Sequence, residues 1–243
     1  MHHTREGSLR PVLMVVATAA ERQAFVRGCR EHPDGRRLLE AATIVQTGIA
    51  ISDFAGSLNE SVVAGASGLV SLGTAGAIAP NIDPGTLLLP AQVRWLGGAM
   101  AKVDAEWHAQ TTARLQREFS IVTKDILHSE EVVQSHAKQS LFEQTGAIAV
   151  DMESGVLARL AQTADIPFLI VRTVLDPANQ GVPSAASSSV DRNGDLDAVA
   201  LSRHLVAQPF QLAAVIRLAM QFRRAARTLR GTGRFGAGVL LEH

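Results

Sequence analysis

The chain has 243 residues, 47% of them hydrophobic, and its 23 Lys and Arg are balanced by 23 Asp and Glu. That length admits one large domain or two small ones, and the zero net charge gives no general reason to bind nucleic acid or an acidic partner. A single cysteine, Cys29, excludes an intrachain disulfide and a cysteine metal cluster, and no apolar run approaches the length of a membrane span. The absence of Tyr and the presence of only two Trp equip the chain poorly for stacking single-stranded bases. Its eight histidines are scattered without ligand spacing, so no metal site is expected.

In chain order, residues 1–10 read as a disordered or tag-like N-terminus. Val12 to Thr18 reads as a buried strand. Arg5 and Arg10 before this run, with Ala17-Thr18-Ala19 after it, imitate a secretory signal. Its removal would delete the edge element of a parallel sheet, so the strand reading is preferred and a cytoplasmic protein is expected. A helix from about Ala20 to Cys29 carries Glu21 in its first turn, where a carboxylate complements the helix dipole or serves a site. Thr43 to Gln46 is a second strand, and Ser52 to Ala64 a helix. Leu69 to Leu72 then leads into Gly73-Thr74-Ala75-Gly76-Ala77. This stretch reads as a turn, either a nest for an anion or sugar oxygens or simply a place where Gly supplies positive φ. It lacks the Gly-Lys-Ser ending of an NTP-binding loop. Pro80 to Gly85 is a turn, Thr86 to Leu89 a strand and Gln92 to Ala101 a strand with hairpin. Ala105 to Phe119 is a helix, Ile121 to Leu127 a strand and Ser135 to Gln144 a helix.

The centre of the chain is Val150-Asp151-Met152-Glu153-Ser154. The apolar run Ala147 to Val150 precedes it. Val156, Leu157, Leu160, Ala161 and Ala164 follow at helical spacing, and Phe168 to Val171 then reads as a buried parallel strand. This is the pattern of a right-handed βαβ unit. It puts Asp151 and Glu153 at the carboxyl end of one strand and Asp176 just past the end of the next, along the edge where open α/β sheets bind ligands. Residues 178–195, rich in Ser, Gly, Asn and Pro, read as a lid.

Leu196 to Val206 and Phe210 to Leu229 close the fold as helices. Six arginines and no acid lie between Arg217 and Arg234. Such a helix either rests on an anionic membrane surface or is a solvated helix end. Gly231-Thr-Gly233-Arg-Phe-Gly236 matches G-x-G-x-x-G without the βαβ context that motif needs. Residues 231–243 read as a tail ending in a tag remnant, Leu241-Glu242-His243.

Glu21, Thr74-Ala75-Gly76, Asp151-Met152-Glu153 and Asp176 therefore converge on one edge. One carboxylate can hold a vicinal diol through charge-assisted hydrogen bonds, and a buried, protonated one can supply a proton to a leaving group. Cleavage of a glycosyl bond needs both. The plainer alternative is a helix-start carboxylate at Glu153 and an Asp-Pro turn at Asp176.

These residues also carry a resemblance. Val150 to Ser154, Pro167-Phe-Leu-Ile-Val-Arg172 and Asp176, with Leu72 to Ala77 and Asp83-Pro-Gly85, resemble the nucleoside phosphorylase and nucleosidase superfamily from about Val12 to Asp176. Asp176-Pro-Ala, the Ser-rich stretch and the Arg-rich helix look most like its hopanoid-associated phosphorylases, which are thought to release adenine from adenosylhopane. The resemblance implies a three-layer α/β single domain over residues 11–230, with a central mixed, mostly parallel sheet flanked by helices. It implies Asp176 as general acid on the purine, Glu153 on the ribose hydroxyls and Met152 beneath the sugar, with Asp151 beside them. Thr74, Ala75 and Gly76 would face phosphate or the attacking water, and Arg172 and Arg22 would bind phosphate; Glu21 matches the carboxylate that orients water in hydrolytic members. Phosphorolysis of a purine nucleoside, with inorganic phosphate as co-substrate and no other cofactor, is the implied reaction. Hydrolysis, or a non-catalytic nucleoside-binding role, is the alternative. Leu175 stands where Ser or Cys is usual, and Val132 and Val133 where an aromatic often meets the base. A homo-oligomer and a membrane contact at the inner surface through the basic helix complete the expectations.

Overall fold

Every residue of the first strand, β1 (Val12–Val16), is buried in the computed structural model, which describes residues 10–48, 58, 60–191 and 195–241. A strand apolar on both faces belongs inside a parallel sheet. It is followed by α1 (Ala19–Arg30), whose N-terminus forms a capping box. The Thr18 hydroxyl accepts from Glu21 N at 3.2 Å, and the Glu21 carboxylate accepts from Thr18 N at 3.0 Å. Next comes a helix with no counterpart in the sequence reading, α2 (Pro33–Ala41). Pro33 opens it, where a missing N–H costs nothing, and His32 Nδ1 accepts from Asp34 N. Strand β2 (Ala42–Gln46) pairs in parallel with β1. Of the helix expected over 52–64, the part within the described residues is α3 (Glu60–Ala64).

Strand β3 (Gly68–Ala77) is the spine of the molecule. The segment 73–77, expected as a turn, is its second half; neither Gly73 nor Gly76 has positive φ. Along β3 the register pairs Gly68 to Ser71 with β1, so β1, expected at the edge of the sheet, is internal, between β2 and β3. The chain then forms β4 (Leu87–Leu88), the hairpin of β5 (Gln92–Arg94) and β6 (Met100–Lys102), and α4 (Ala105–Leu115). The strand expected over 121–127 is two strands, β7 (Ile121–Val122) and β8 (Ile126–His128). The first pairs with β4 and the second with β5. Helix α5 (Ser135–Thr145) leads to β9 (Ala149–Asp151), α6 (Ser154–Ala164) and β10 (Phe168–Val174). The sheet order is β6-β5-β8-β9-β3-β10-β4-β7, with β1 paired to β3 and β2 paired to β1.

This order corrects the expected βαβ unit. β10 runs parallel to β3, but β9 runs antiparallel to it, so β9 and β10 are not parallel neighbours. Convergence at the site has a different cause. Gly76 pairs with Val150, which carries Asp151 to the level of Ala75, and Ala75 pairs with Val174. Two strands running in opposite directions thus end at one point of β3.

The sheet is covered on both faces. Val12, Met14 and Val16 point into one core with Phe25, Trp107 and Leu229, while Leu13 and Val15 point into another with Leu157 and Ala161. That alternation is the period of a strand, and it yields three layers of an α/β fold. The stretch expected as a lid contains α7 (Ser184–Ser187) and an antiparallel bridge between Val190 and Leu196. The last helices are α8 (Ala198–Ala207) and, after a 3₁₀ turn at Pro209–Gln211, α9 (Leu212–Phe235). Residues 231–240 are not a tail: α9 runs to Phe235, Ala237 and Leu240 are buried, and Trp107 Nε1 donates to Val239 O at 2.7 Å.

α1 and α9 cross backbone to backbone. A Cβ at Gly28 would lie 1.8 Å from the Arg230 carbonyl oxygen, and one at Gly233 would lie 2.4 Å from that of Phe25. Gly233, read earlier as part of a chance motif, is thus a packing glycine. Gly28→Ala should lower stability by about 2–3 kcal/mol, since the backbone must shift to admit the methyl. Urea unfolding measures this, and an unchanged midpoint would contradict the crossing.

Candidate active site

The point where β9 and β10 end is occupied by a guanidinium. Arg172, on β10 opposite Gly73 of β3, is 1% exposed. Its Nε lies 2.7 Å from Asp151 Oδ2 and its Nη2 lies 3.4 Å from Glu153 Oε2. Nη2 also donates to Ser71 Oγ at 2.7 Å and to Ser154 Oγ at 3.2 Å. The Ser154 hydroxyl in turn donates to Asp151. Burial works against the charge on Arg172, but Asp151, Glu153 and Glu21 outweigh it and raise its pKa. Gly73 is required here, because a Cβ would stand 2.5 Å from Arg172 Nη1 and 3.0 Å from Glu21 Oε1.

Above this floor lies a cavity of about 160 Å³. Thr18 and Glu21, Thr74 to Gly76, Glu131 to Val133, Lys138, Val150 to Glu153, Leu175 and Asp176, and Val182 line it. The sequence-derived groups Glu21, Thr74, Ala75, Gly76, Val132, Val133, Asp151, Met152, Glu153 and Asp176 are therefore brought together. Two expected phosphate ligands are not. Arg172 lies beneath the pocket, held by two carboxylates. Arg22 is exposed on the outer side of α1, beside Arg27, Arg30 and Glu31. Thr74 is in the pocket, but its amide and hydroxyl both donate to Glu21 Oε1, at 2.8 and 2.7 Å. Glu21 Oε2 accepts from Thr18 N and Oγ1, each at 3.0 Å. The helix-start and site readings of Glu21 are thus one arrangement, in which the capping carboxylate also grips β3. Asp151, 4% exposed, chiefly positions Arg172 and Ser154.

Asp176 and Glu153 are both buried, and both carboxyls are pushed upward. Burial raises Asp176, against the charge and hydrogen bond of Lys138. Burial raises Glu153 to about 8, opposed by Arg172 and aided by Asp151 and Glu21. Lys138 is the functional residue that sequence reasoning missed. It is 1% exposed, donates to Asp176 Oδ2, and donates to the Pro177 carbonyl at 3.1 Å. The signal was present: Lys138 shares a side of α5 with Leu141 and Phe142, which pack on the core. A lysine on an inward stripe needs a buried carboxylate partner. The opposite oxygen of Asp176 faces β3, where a Cβ at Gly76 would lie 3.2 Å from Oδ1.

The family model of the phosphorylase superfamily matches residues 39–207. This chain belongs to that superfamily. Among solved structures it is similar to the 5′-methylthioadenosine/S-adenosylhomocysteine nucleosidase of Neisseria meningitidis, at 15% identity and TM-score 0.60 over 93% of this chain and 99% of that one. It is also similar to the futalosine hydrolase of Helicobacter pylori, at 12% identity and TM-score 0.59 over 91% and 94% of the two chains. A third is a Helicobacter pylori methylthioadenosine nucleosidase variant with 5′-methylthioadenosine in its active site, at 12% identity and TM-score 0.57 over 92% and 97%. At these identities the likeness is one of fold. No curated protein matches the chain in sequence.

In this superfamily member the raised pKa of Glu153 ties stability to pH. A carboxyl whose folded pKa lies above its ordinary 4.5 contributes stability at low pH and loses it as pH rises through about 8. Wild-type protein should therefore lose stability across that window, and Glu153→Gln should lose distinctly less. Thermal midpoints across pH for both proteins check this; parallel curves would contradict the assignment.

Proposed function

We propose that this chain cleaves the N-ribosyl bond of a purine nucleoside and releases the base. Asp176 protonates the leaving purine and Glu153 holds the ribose hydroxyls. The observation that carries the reading is the pair of buried carboxyls in one pocket with different cations, Lys138 on Asp176 alone and Arg172 shared by Glu153 and Asp151. A departing purine anion is a poor leaving group, and a proton placed on its ring nitrogen lets it leave neutral. Asp176, raised by burial, can carry that proton; the Lys138 ammonium next to it stabilises the carboxylate left behind. Glu153 acts differently. Two hydroxyl donors from a ribose favour its ionised form, and the carboxylate then supports the positive charge developing on the sugar. Met152, between Asp151 and Glu153 in sequence and half-buried in the cavity wall, packs beneath the sugar.

Charge favours water over phosphate as the acceptor. Five carboxyl groups, from Glu21, Glu131, Asp151, Glu153 and Asp176, line the pocket; with Asp176 and Glu153 protonated, the remaining three still outnumber the two cations, Lys138 in the wall and Arg172 beneath it. The Thr74 donors expected to meet phosphate are given to Glu21. A phosphate dianion would meet net negative charge there, whereas a neutral water can give its proton to Glu21 as its oxygen bonds to the sugar carbon. Similarity to a nucleosidase and a hydrolase supports this acceptor; the superfamily's name keeps phosphorolysis as the rival. For the substrate, the apolar wall of Val132, Val133, Leu175 and Val182 supports a nucleoside joined to a lipid, of the adenosylhopane type.

Adenine release from 5′-methylthioadenosine and from an adenosyl-lipid analogue, with and without phosphate, tests the reading. Release without phosphate is expected, with the lipid analogue preferred. Asp176→Asn should cut turnover about 10²–10⁴-fold while nucleoside still binds. Full activity in that variant would remove Asp176 from its role, and strict phosphate dependence would restore phosphorolysis.

A further inference from the structure

The C-terminal helices present a surface that the fold does not use. Among the described residues, seven of the eleven exposed large hydrophobic side chains lie between Leu196 and Met220. α8 buries none of its residues: Val199 and Val206 are 68% and 84% exposed, and Phe210 in the following turn is 78% exposed. On α9, Leu212, Ile216 and Met220 follow four residues apart, so they share one side of the helix. Scattered exposed apolar residues are ordinary, but a concentration like this marks a contact surface.

The charge of the same segment identifies what covers it. Between Asp197 and Glu242 there is no Asp or Glu, against seven arginines in a chain that is otherwise balanced. Much of the second half of α9 is turned to the protein and does not provide the face. Ala225, Leu229 and Thr232 are buried, Gly233 packs on α1, and Arg230 Nε bonds Glu31 at 2.6 Å. The free arginine-bearing surface is the earlier stretch, with Arg203, Arg217, Arg223 and Arg224 exposed around the apolar side chains. A second copy of the chain is a poor occupant. A two-fold contact through this face would bring the arginines of α8 and α9 together, with only Asp195 and Asp197 at the start of α8 to meet them, and Asp197 is already engaged in capping α8. Anionic lipid headgroups over an acyl interior match both features. Among the described residues no single helix is long and apolar enough to cross a membrane, and α8 and α9 meet at a bend of 115°.

We propose that α8, the Pro209–Gln211 turn and the first half of α9 dock this protein onto an anionic bilayer surface. The face is tied to the cavity. Gln211 Oε1 accepts from Ala185 N at 2.9 Å, and Gln221 Nε2 donates to Gln180 Oε1 at 2.7 Å. Both bonds anchor the segment that follows Asp176 and supplies Val182 to the pocket wall. A groove of about 550 Å³ runs between that segment, the turn at Pro80–Pro84, and Arg217, Met220 and Arg224. Resting on the cleavage reading above, this places a lipid-linked nucleoside at the side from which it would arrive.

The test is sedimentation with phosphatidylcholine vesicles, with and without phosphatidylglycerol, which needs no turnover. Wild-type protein should bind the anionic vesicles and be released by salt. Val206→Glu combined with Phe210→Glu should weaken binding about tenfold or more, with the thermal midpoint unchanged because both side chains are exposed. Arg203→Ala, milder still, should weaken anionic binding alone. Absence of wild-type binding to anionic vesicles would overturn the proposal. So would a wild-type dimer that the Val206/Phe210 variant converts to monomer, because the face would then belong to a second copy. Adenine release from soluble 5′-methylthioadenosine, measured without vesicles, reports the cleavage reading separately.

Discussion

The buried guanidinium of Arg172 is the constraint on which the site depends. It lies in the middle of β10, between β3 and β4, where no side chain reaches water. An unpaired charge there would cost several kcal/mol, and so would either carboxylate without it. Asp151 and Glu153 therefore come as a set with Arg172, and the strands that deliver them have to end together on β3. Gly73 is the local consequence, since the guanidinium lies across β3 where any side chain would sit. Sheet register and site electrostatics are one problem with one solution.

Two carboxyls in the same cavity are given different partners and so different chemistry. Glu153 shares Arg172 with Asp151 and feels Glu21 nearby, which makes its ionised form dependent on a donor arriving. Asp176 has Lys138 to itself, which in the proposed reaction would hold its carboxylate once its proton is spent. Environments that separate the behaviour of two acids are the usual basis of acid and base roles. The same inventory leaves little positive charge unassigned, and that is the charge argument behind the proposal of water as the acceptor.

How much of this was legible in the sequence depends on whether a signal was local. The first-turn carboxylate Glu21, the apolar strand from Val12 and the carboxylates Asp151, Glu153 and Asp176 show in short windows. The turn assigned to Gly73–Ala77 was wrong because glycine was credited with freeing the backbone. Its use here is to leave room for side chains from β10 and α1, a long-range demand that no window contains. The direction of β9 has the same origin, since a strand–helix–strand pattern is silent about which edge of β3 is vacant. α2 was overlooked even though Pro33 and Asp34 mark its start. Arg172 was matched to phosphate by its place in a motif, and only the register shows its charge already used. Lys138 was readable from its inward stripe on α5, given the question of what a buried lysine would meet.

The account stands on glycosidic cleavage by water in a pocket with an acid on either side. The most direct measurement is single-turnover cleavage of 5′-methylthioadenosine in phosphate-free H₂¹⁸O, with mass analysis of both products. Adenine together with a pentose carrying the heavy oxygen at its anomeric carbon is the predicted result. No adenine until phosphate is added, with the sugar recovered as a phosphate ester, would contradict it.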